Sequence, residues 1–160
     1  MAKAVLISIR PEWVKKILAG EKTIEVRQTR PKSETPFKCC IYCTNSGVAM
    51  GMWEKHGKVV AEFVCDTIFP IQIECNAPAA LGAGIEVPGT CLTDRKIMEY
   101  LGNGKRGFAW HISNLKIYDA PKPLSEFKGF RKTKFGYAPV EIKRPPQSWC
   151  YVEELINGQS

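Results

Sequence analysis

The chain has little from which to build a metal centre or a charge-relay site. Its two histidines, His56 and His111, stand far apart in sequence, and each alone reads as a structural or surface residue. No Cys–His–Asp or Ser–His–Asp arrangement emerges from the order of residues. Cys39-Cys40-x-x-Cys43 is the nearest approach to a metal motif, but no second CxxC or histidine pair completes a zinc site. On a strand, Cys39, Ile41 and Cys43 share one face and Cys40 and Tyr42 the other, so the two ends of that CxxC point apart. Seven cysteines without an export signal indicate reduced thiols rather than a disulfide framework. No run approaches the ~20 apolar residues needed to span a bilayer. The opening AVLISI segment is too short for a signal peptide and runs into Arg10 and Glu12. A cytoplasmic protein without membrane contact, cofactor or metal is expected. No repeat and no dividing linker is present, so residues 1–160 read as one domain.

What is there is ordinary in amount and uneven in distribution. An apolar content of 44% and a charged content of 24% suit a globular domain, and 160 residues allow a sizeable core. The formal charge of +7 favours polyanionic partners. Residues 1–32 carry eight Lys/Arg against three acids, and residues 128–144 carry six against Glu141 alone. Between them, residues 61–94 contain no Lys or Arg and five acids. Two basic ends flank an acidic middle.

The pattern of elements starts with an apolar strand, AVLISI. A helix follows from Arg10-Pro11 to Gly20, with Pro11 at N1 and Gly20 at C′. Trp13/Ile17 and Val14/Leu18 give it a buried face. Glu21–Arg27 then reads as a strand, Thr29–Pro36 as a loop, Lys38–Thr44 and Gly57–Thr67 as strands, and Asn45-Ser46-Gly47 as a turn. Met50–His56 is ambiguous. Residues 76–91, rich in Ala, Gly and Pro, look like a surface loop. Thr93 is placed to cap a second helix, with Leu92 and Ile97 as a hydrophobic staple, ending at Gly102 or Gly104. Gly107–Ser113 alternates as a half-buried strand, Leu115–Tyr118 extends it or forms the next strand, and Pro121 and Pro123 end it. Leu124–Phe127 is a turn, residues 128–148 a long basic loop, and Trp149–Val152 a last strand. Short strands with two helices predict a small mixed barrel of the α+β class.

The strand–helix opening followed by Gly20-x-Lys22-Thr23-x-Glu25-x-Arg27 resembles the signature of the ASCH family, which is related to the PUA fold. The later Trp110-His-Ile-Ser-Asn-Leu-Lys-Ile-Tyr, Pro121-Lys-Pro-Leu124 and Pro145-Pro146-x-Ser148-Trp149 are similar to a phage or bacterial branch. The resemblance covers most of the chain. It implies a PUA-like pseudobarrel with helices packed around it, and a cleft beside the first helix for RNA or modified nucleosides. Some ASCH enzymes remove the acetyl group of N4-acetylcytidine with a Lys, a Thr and a strand Glu. Lys22 matches the first and Glu62 is placed for the last, but the Thr position is Glu25 here. Other members are ribonucleases using Lys, Tyr and Ser, for which Lys22, Tyr42 and Ser148 are the candidates.

The residues themselves leave several roles open. Lys22 follows a helix end, where it either caps the last carbonyls or contacts a ligand as a phosphate donor or a base of lowered pKa. Glu25 and Arg27 lie on one strand face, as a structural ion pair or as a base contact and a phosphate contact. Arg10 pairs with Glu12 or helps hold an anion at the helix start. Glu62 becomes a catalytic partner if it reaches Lys22. The tail interleaves Arg131, Lys132 and Lys134 with Phe130, Phe135, Tyr137 and Trp149, a combination suited to single-stranded nucleic acid; Phe130 and Phe135 are expected to pin the loop. Ser148-Trp149 would form a rigid cleft wall. The first expectation is an RNA- or nucleotide-binding domain with a cleft lined by Arg10, Lys22, Thr23, Glu25 and Arg27. The alternatives are a hydrolase or ribonuclease using Lys22 with Glu25 or Glu62, and a phage or mobile-element accessory protein that binds a host protein through its acidic middle.

Overall fold

A parallel strand pair inside an otherwise antiparallel sheet sets the architecture. The computed structural model describes residues 3–46, 53–72, 86–102 and 106–155. Strand β1 (Lys3–Ile9) lies beside β3 (Phe37–Cys43) in parallel and beside β10 (Trp149–Glu153) in antiparallel register. The connection from β1 to β3 carries helix α1 (Pro11–Leu18) and strand β2 (Ile24–Arg27). The remaining elements are β4 (Lys58–Gln72), the short pair β5 (Glu86–Val87) and β6 (Leu92–Thr93), helix α2 (Asp94–Leu101), β7 (Arg106–Lys122), a 3-10 turn (Leu124–Glu126), β8 (Lys128–Thr133) and β9 (Gly136–Glu141). Among the described residues the main sheet runs β2-β7-β4-β3-β1-β10-β8-β9.

Both faces of β1 are covered, which is why it reads as an unbroken apolar run. Val5, Ile7 and Ile9 pack with Cys39, Ile41 and Cys43 of β3, Val14 and Ile17 of α1, Phe63 and Trp110. Ala4 and Leu6 pack on the other side with Cys40, Tyr42, Val59, Tyr118 and Phe127. The cysteines of the CxxC therefore divide between two cores, as the strand alternation requires. A third cluster joins Val26 of β2 to Ile97 and Leu101 of α2.

The sheet does not close by backbone pairing among the described residues. Side chains of its first strand reach across instead. Arg27 donates from Nη2 to the Ser8 carbonyl at 2.7 Å and from Nη1 to Ser148 Oγ at 3.2 Å. Trp149 Nε1 donates to Thr29 Oγ1 at 3.0 Å. These bonds draw β2 against β1 and β10 and complete an α+β pseudobarrel. Strands β8 and β9 continue the sheet beyond that seam as an overhang.

Several element bounds differ from expectation. The long basic loop at 128–148 is instead the β8–β9 hairpin for residues 128–141, turning through Lys134-Phe135 with Gly136 at φ +111°. Its run of charges hid the alternation. Strand β4 continues to Gln72, and β7 passes through Pro121 without ending, with Asn114 at φ +47° inside it. The turn glycine Gly47, the first part of Met50–His56, residues 76–85 and Gly104 lie outside the described residues. No helix among the described residues is long and apolar enough to cross a membrane.

Candidate functional site

The end of α1 determines where the first charged residue lands. Gly20, at φ +80°, lets the chain reverse, and the amides of Glu21 and Lys22 both return to the Lys16 carbonyl, at 2.9 and 3.1 Å. Lys22 is thereby turned inward and is 2% exposed. Its Nζ donates to the Thr90 carbonyl, lies 3.9 Å from Glu25 Oε2 and stands 5.4 Å from the Trp13 ring centroid. Burial lowers its pKa below the usual lysine range; Glu25 and Cys91 oppose that shift and Arg27 adds to it.

Glu25 and Arg27 complete a buried triad, 7% and 8% exposed. Glu25 Oε1 is 3.4 Å from Arg27 Nε, too poorly aligned for a hydrogen bond, and both Glu25 Oε2 and Arg27 Nε lack a hydrogen-bond partner. Buried polar atoms are nearly always paired, so these two mark unsatisfied capacity. The residues Glu25 and Arg27 line an open cleft of about 1020 Å³. Ser8, Trp13 and Ser148 line its walls, Arg10 and Lys96 its mouth. Arg10 is exposed and 3.9 Å from Glu12, a weak surface pair. Lys96 Nζ lies 5.9 Å from the Trp13 ring centroid.

The structure joins some expected site residues and separates others. Arg10, Glu25, Arg27 and Ser148 meet at the cleft. Lys22 stands behind Glu25, off the cleft wall, and Thr23 uses its backbone, donating to Gly89 O at 2.8 Å and accepting from Ile112 N at 2.8 Å. Trp149 packs on Trp110 and Tyr151 and is bonded to Thr29. Glu62 does not reach Lys22. It faces Cys40 across the sheet, on the opposite core, and pairs with Lys38 at 3.1 Å. Tyr42 is buried in that same core. The bulge between Ile41 and Tyr42 leaves this alternation intact within β3. Arg131, Lys132 and Lys134 lie on the hairpin rather than in the cleft. His111 Nδ1 is 2.7 Å from Asp66 Oδ1, at the surface.

Sequence reasoning missed Ser8, Thr90, Lys96 and Tyr100. Residues 86–91, the described end of the segment expected as a surface loop, instead roof Lys22. Gly89 O accepts from the amides of Thr23 and Ile24, and Thr90, 2% exposed, ties Val87 to Leu92 through its hydroxyl. The signal was small: a Gly-Thr pair ahead of a well-capped helix.

This architecture, a small mixed pseudobarrel with a charged cleft beside its first helix, has the fold of solved ASCH structures. The structure is similar to that of the ASCH protein of Zymomonas mobilis, with a TM-score of 0.56, 18% identity, and coverage of 94% of this chain and 88% of that one. Structures of a Tyr→Phe and a Ser→Ala variant of that protein match with a TM-score of 0.56 and 17% identity, covering 94% of this chain and 91% and 89% of theirs. No protein-family profile and no curated protein matches the sequence.

Proposed function

We propose that the chain binds RNA, or a modified nucleotide, in the cleft beside α1. The observation that carries this reading is the Glu25 carboxylate, whose Oε1 lies 3.4 Å from Arg27 Nε, with both residues lining a cleft of about 1020 Å³. That volume lies at the upper end of small-molecule sites, which run to ~1,000 Å³. A carboxylate buried there accepts from the exocyclic amine or ring N–H of a base, the groups that carry base identity. Arg10 and Lys96 at the mouth supply the phosphate contacts, which set position rather than sequence. Trp13 offers an aromatic wall. Lys22, held by Thr90 and standing behind Glu25, fixes the carboxylate's place.

Fluorescence anisotropy with labelled single-stranded RNA tests this. Binding is expected at low salt, with a steep loss on adding salt. Arg10→Ala and Lys96→Ala should each weaken binding and each lower the salt slope by about 1. Absence of binding at low salt, or full affinity in the double variant, rejects the reading.

A second reading, hydrolysis of an acylated nucleoside or of RNA, draws support from the lowered pKa of Lys22, which moves it toward the range of a general base, with Glu25 as proton shuttle. Lys22→Met should then abolish turnover of N4-acetylcytidine or single-stranded RNA followed by chromatography. No turnover by the unaltered protein rejects it.

A further inference from the structure

We propose that the inner face of the β10–β8–β9 overhang is a stacking surface for single-stranded RNA, so that the nucleotide in the cleft belongs to a chain that continues onto this face. The proposal rests on the cleft reading and specifies its ligand. The register defines the face. Gly129 of β8 pairs with Val152 of β10, whose side chain belongs to the core beneath the sheet. Phe130 and Tyr151, one residue along each strand, therefore point to the opposite side. Lys128 and Lys132 share the side of Phe130, and Tyr137, paired with Lys132, joins them.

The side chains converge as the register requires. Lys3 Nζ stands 4.9 Å from the Tyr137 ring centroid, 5.3 Å from that of Tyr151 and 5.8 Å from that of Phe130. Tyr137 is 59% exposed. An exposed tyrosine costs solvation of its ring, and here it lies among lysines rather than under a neighbouring element. The carboxylates on this face, Glu141 opposite Lys128 and Glu153 opposite Lys3, stand away from the hairpin turn. Toward the turn, Lys132 has Tyr137 opposite it instead of a carboxylate. Rings interleaved with ammonium groups on an open sheet suit splayed bases and their phosphates.

The face is continuous with the cleft. Tyr151 packs edge-on against Trp149, with centroids 5.4 Å apart, and Trp149 is bonded to Thr29, which lines the cleft. Arg131 gives an internal control. It carries the same charge as Lys132 but points to the other side of β8, the side of Gly129.

Titrations of a ten-nucleotide RNA, its duplex and a mononucleotide test the proposal by anisotropy and calorimetry. Tyr137→Ala should weaken the single strand about tenfold, since stacking contributes ~1–3 kcal/mol per base, with Tyr137→Phe restoring it. Lys132→Ala should weaken it more than Arg131→Ala, and mononucleotide binding should not change in any of these. Tyr137 is exposed, so matched thermal melts are expected to confirm folding. Unchanged single-strand affinity in Tyr137→Ala, equal losses in Lys132→Ala and Arg131→Ala, or duplex binding as tight as single-strand binding overturns the proposal. Loss of affinity in Tyr137→Ala but not in the Arg10→Ala/Lys96→Ala double variant rejects the cleft and retains this face; the reverse pattern rejects the face and retains the cleft.

Discussion

At the scale of single residues the molecule is organised around Glu25. It stands between two buried cations, Lys22 and Arg27, and it is the carboxylate the structure places with them. Each buried ion loses hydration worth several kcal/mol, and a pair offsets that loss only when both partners remain. Glu25→Ala would leave an ammonium and a guanidinium facing each other in a nearly dry site. The expected destabilisation is about 3–5 kcal/mol, a large share of a typical domain stability of ~5–15 kcal/mol. Urea unfolding at neutral pH measures it, and Glu25→Gln, which keeps the volume and an acceptor oxygen, should lose less. A loss below about 1 kcal/mol, the range of exposed pairs, would show that water already screens the triad. The convergence of Lys22, Glu25 and Arg27 was legible because a helix end and a strand alternation fix it locally. Their other partners were not: Thr90 lies 68 residues from Lys22, and Ser148 lies 121 from Arg27.

At the scale of elements, the turn between β5 and β6 acts as a roof. Gly89 has φ +81°, and a Cβ there would stand 2.8 Å from Thr23 Oγ1 and 3.1 Å from Ile24 Cδ1. Its carbonyl meanwhile holds the amides of Thr23 and Ile24 at 2.8 and 2.9 Å. Gly89→Ala combines the left-handed penalty of ~1–2 kcal/mol with that close contact. Stability should fall by at least that penalty in denaturant titration, and hydrogen exchange at Thr23 and Ile24 should accelerate more than in β1. Equal protection at those two amides would count against the roof. Helix α1, with Pro11 first and Gly20 just past its end, was readable from its punctuation, and so was the Thr93 cap of α2, which accepts from the Lys96 amide at 3.2 Å. The β8–β9 hairpin was not, because Lys and Arg occupy both of its faces and erase the apolar–polar alternation by which a half-buried strand is recognised.

At the scale of the whole molecule, burial of both sheet faces makes the thiols part of the filling. Cys39, Cys40, Cys43 and Cys65 are all buried and Cys150 half-buried. Desolvation pushes Cys40 up to about 12 and Cys43, Cys65 and Cys150 up to about 11, and raises Cys39 and Tyr118 as well. In the unfolded chain thiols ionise near ~8.5. Above that pH the unfolded state loses protons that the folded state keeps, so unfolding gains driving force as pH rises. Each such thiol removes up to about 1.4 kcal/mol of stability per pH unit across its window. Lys22 runs the other way: its lowered folded pKa means the unfolded state binds more protons between that value and 10.5, which favours the folded state as pH rises. One lysine opposes several thiols, so the thiols win. Urea midpoints under reducing conditions should therefore hold to about pH 8 and fall steadily from pH 9 to pH 11. Cys40→Ala, which removes a thiol pushed up to about 12, should flatten the fall. Midpoints constant to pH 11 would mean that the thiols reach water in the folded protein, and the two-faced core would then be wrong.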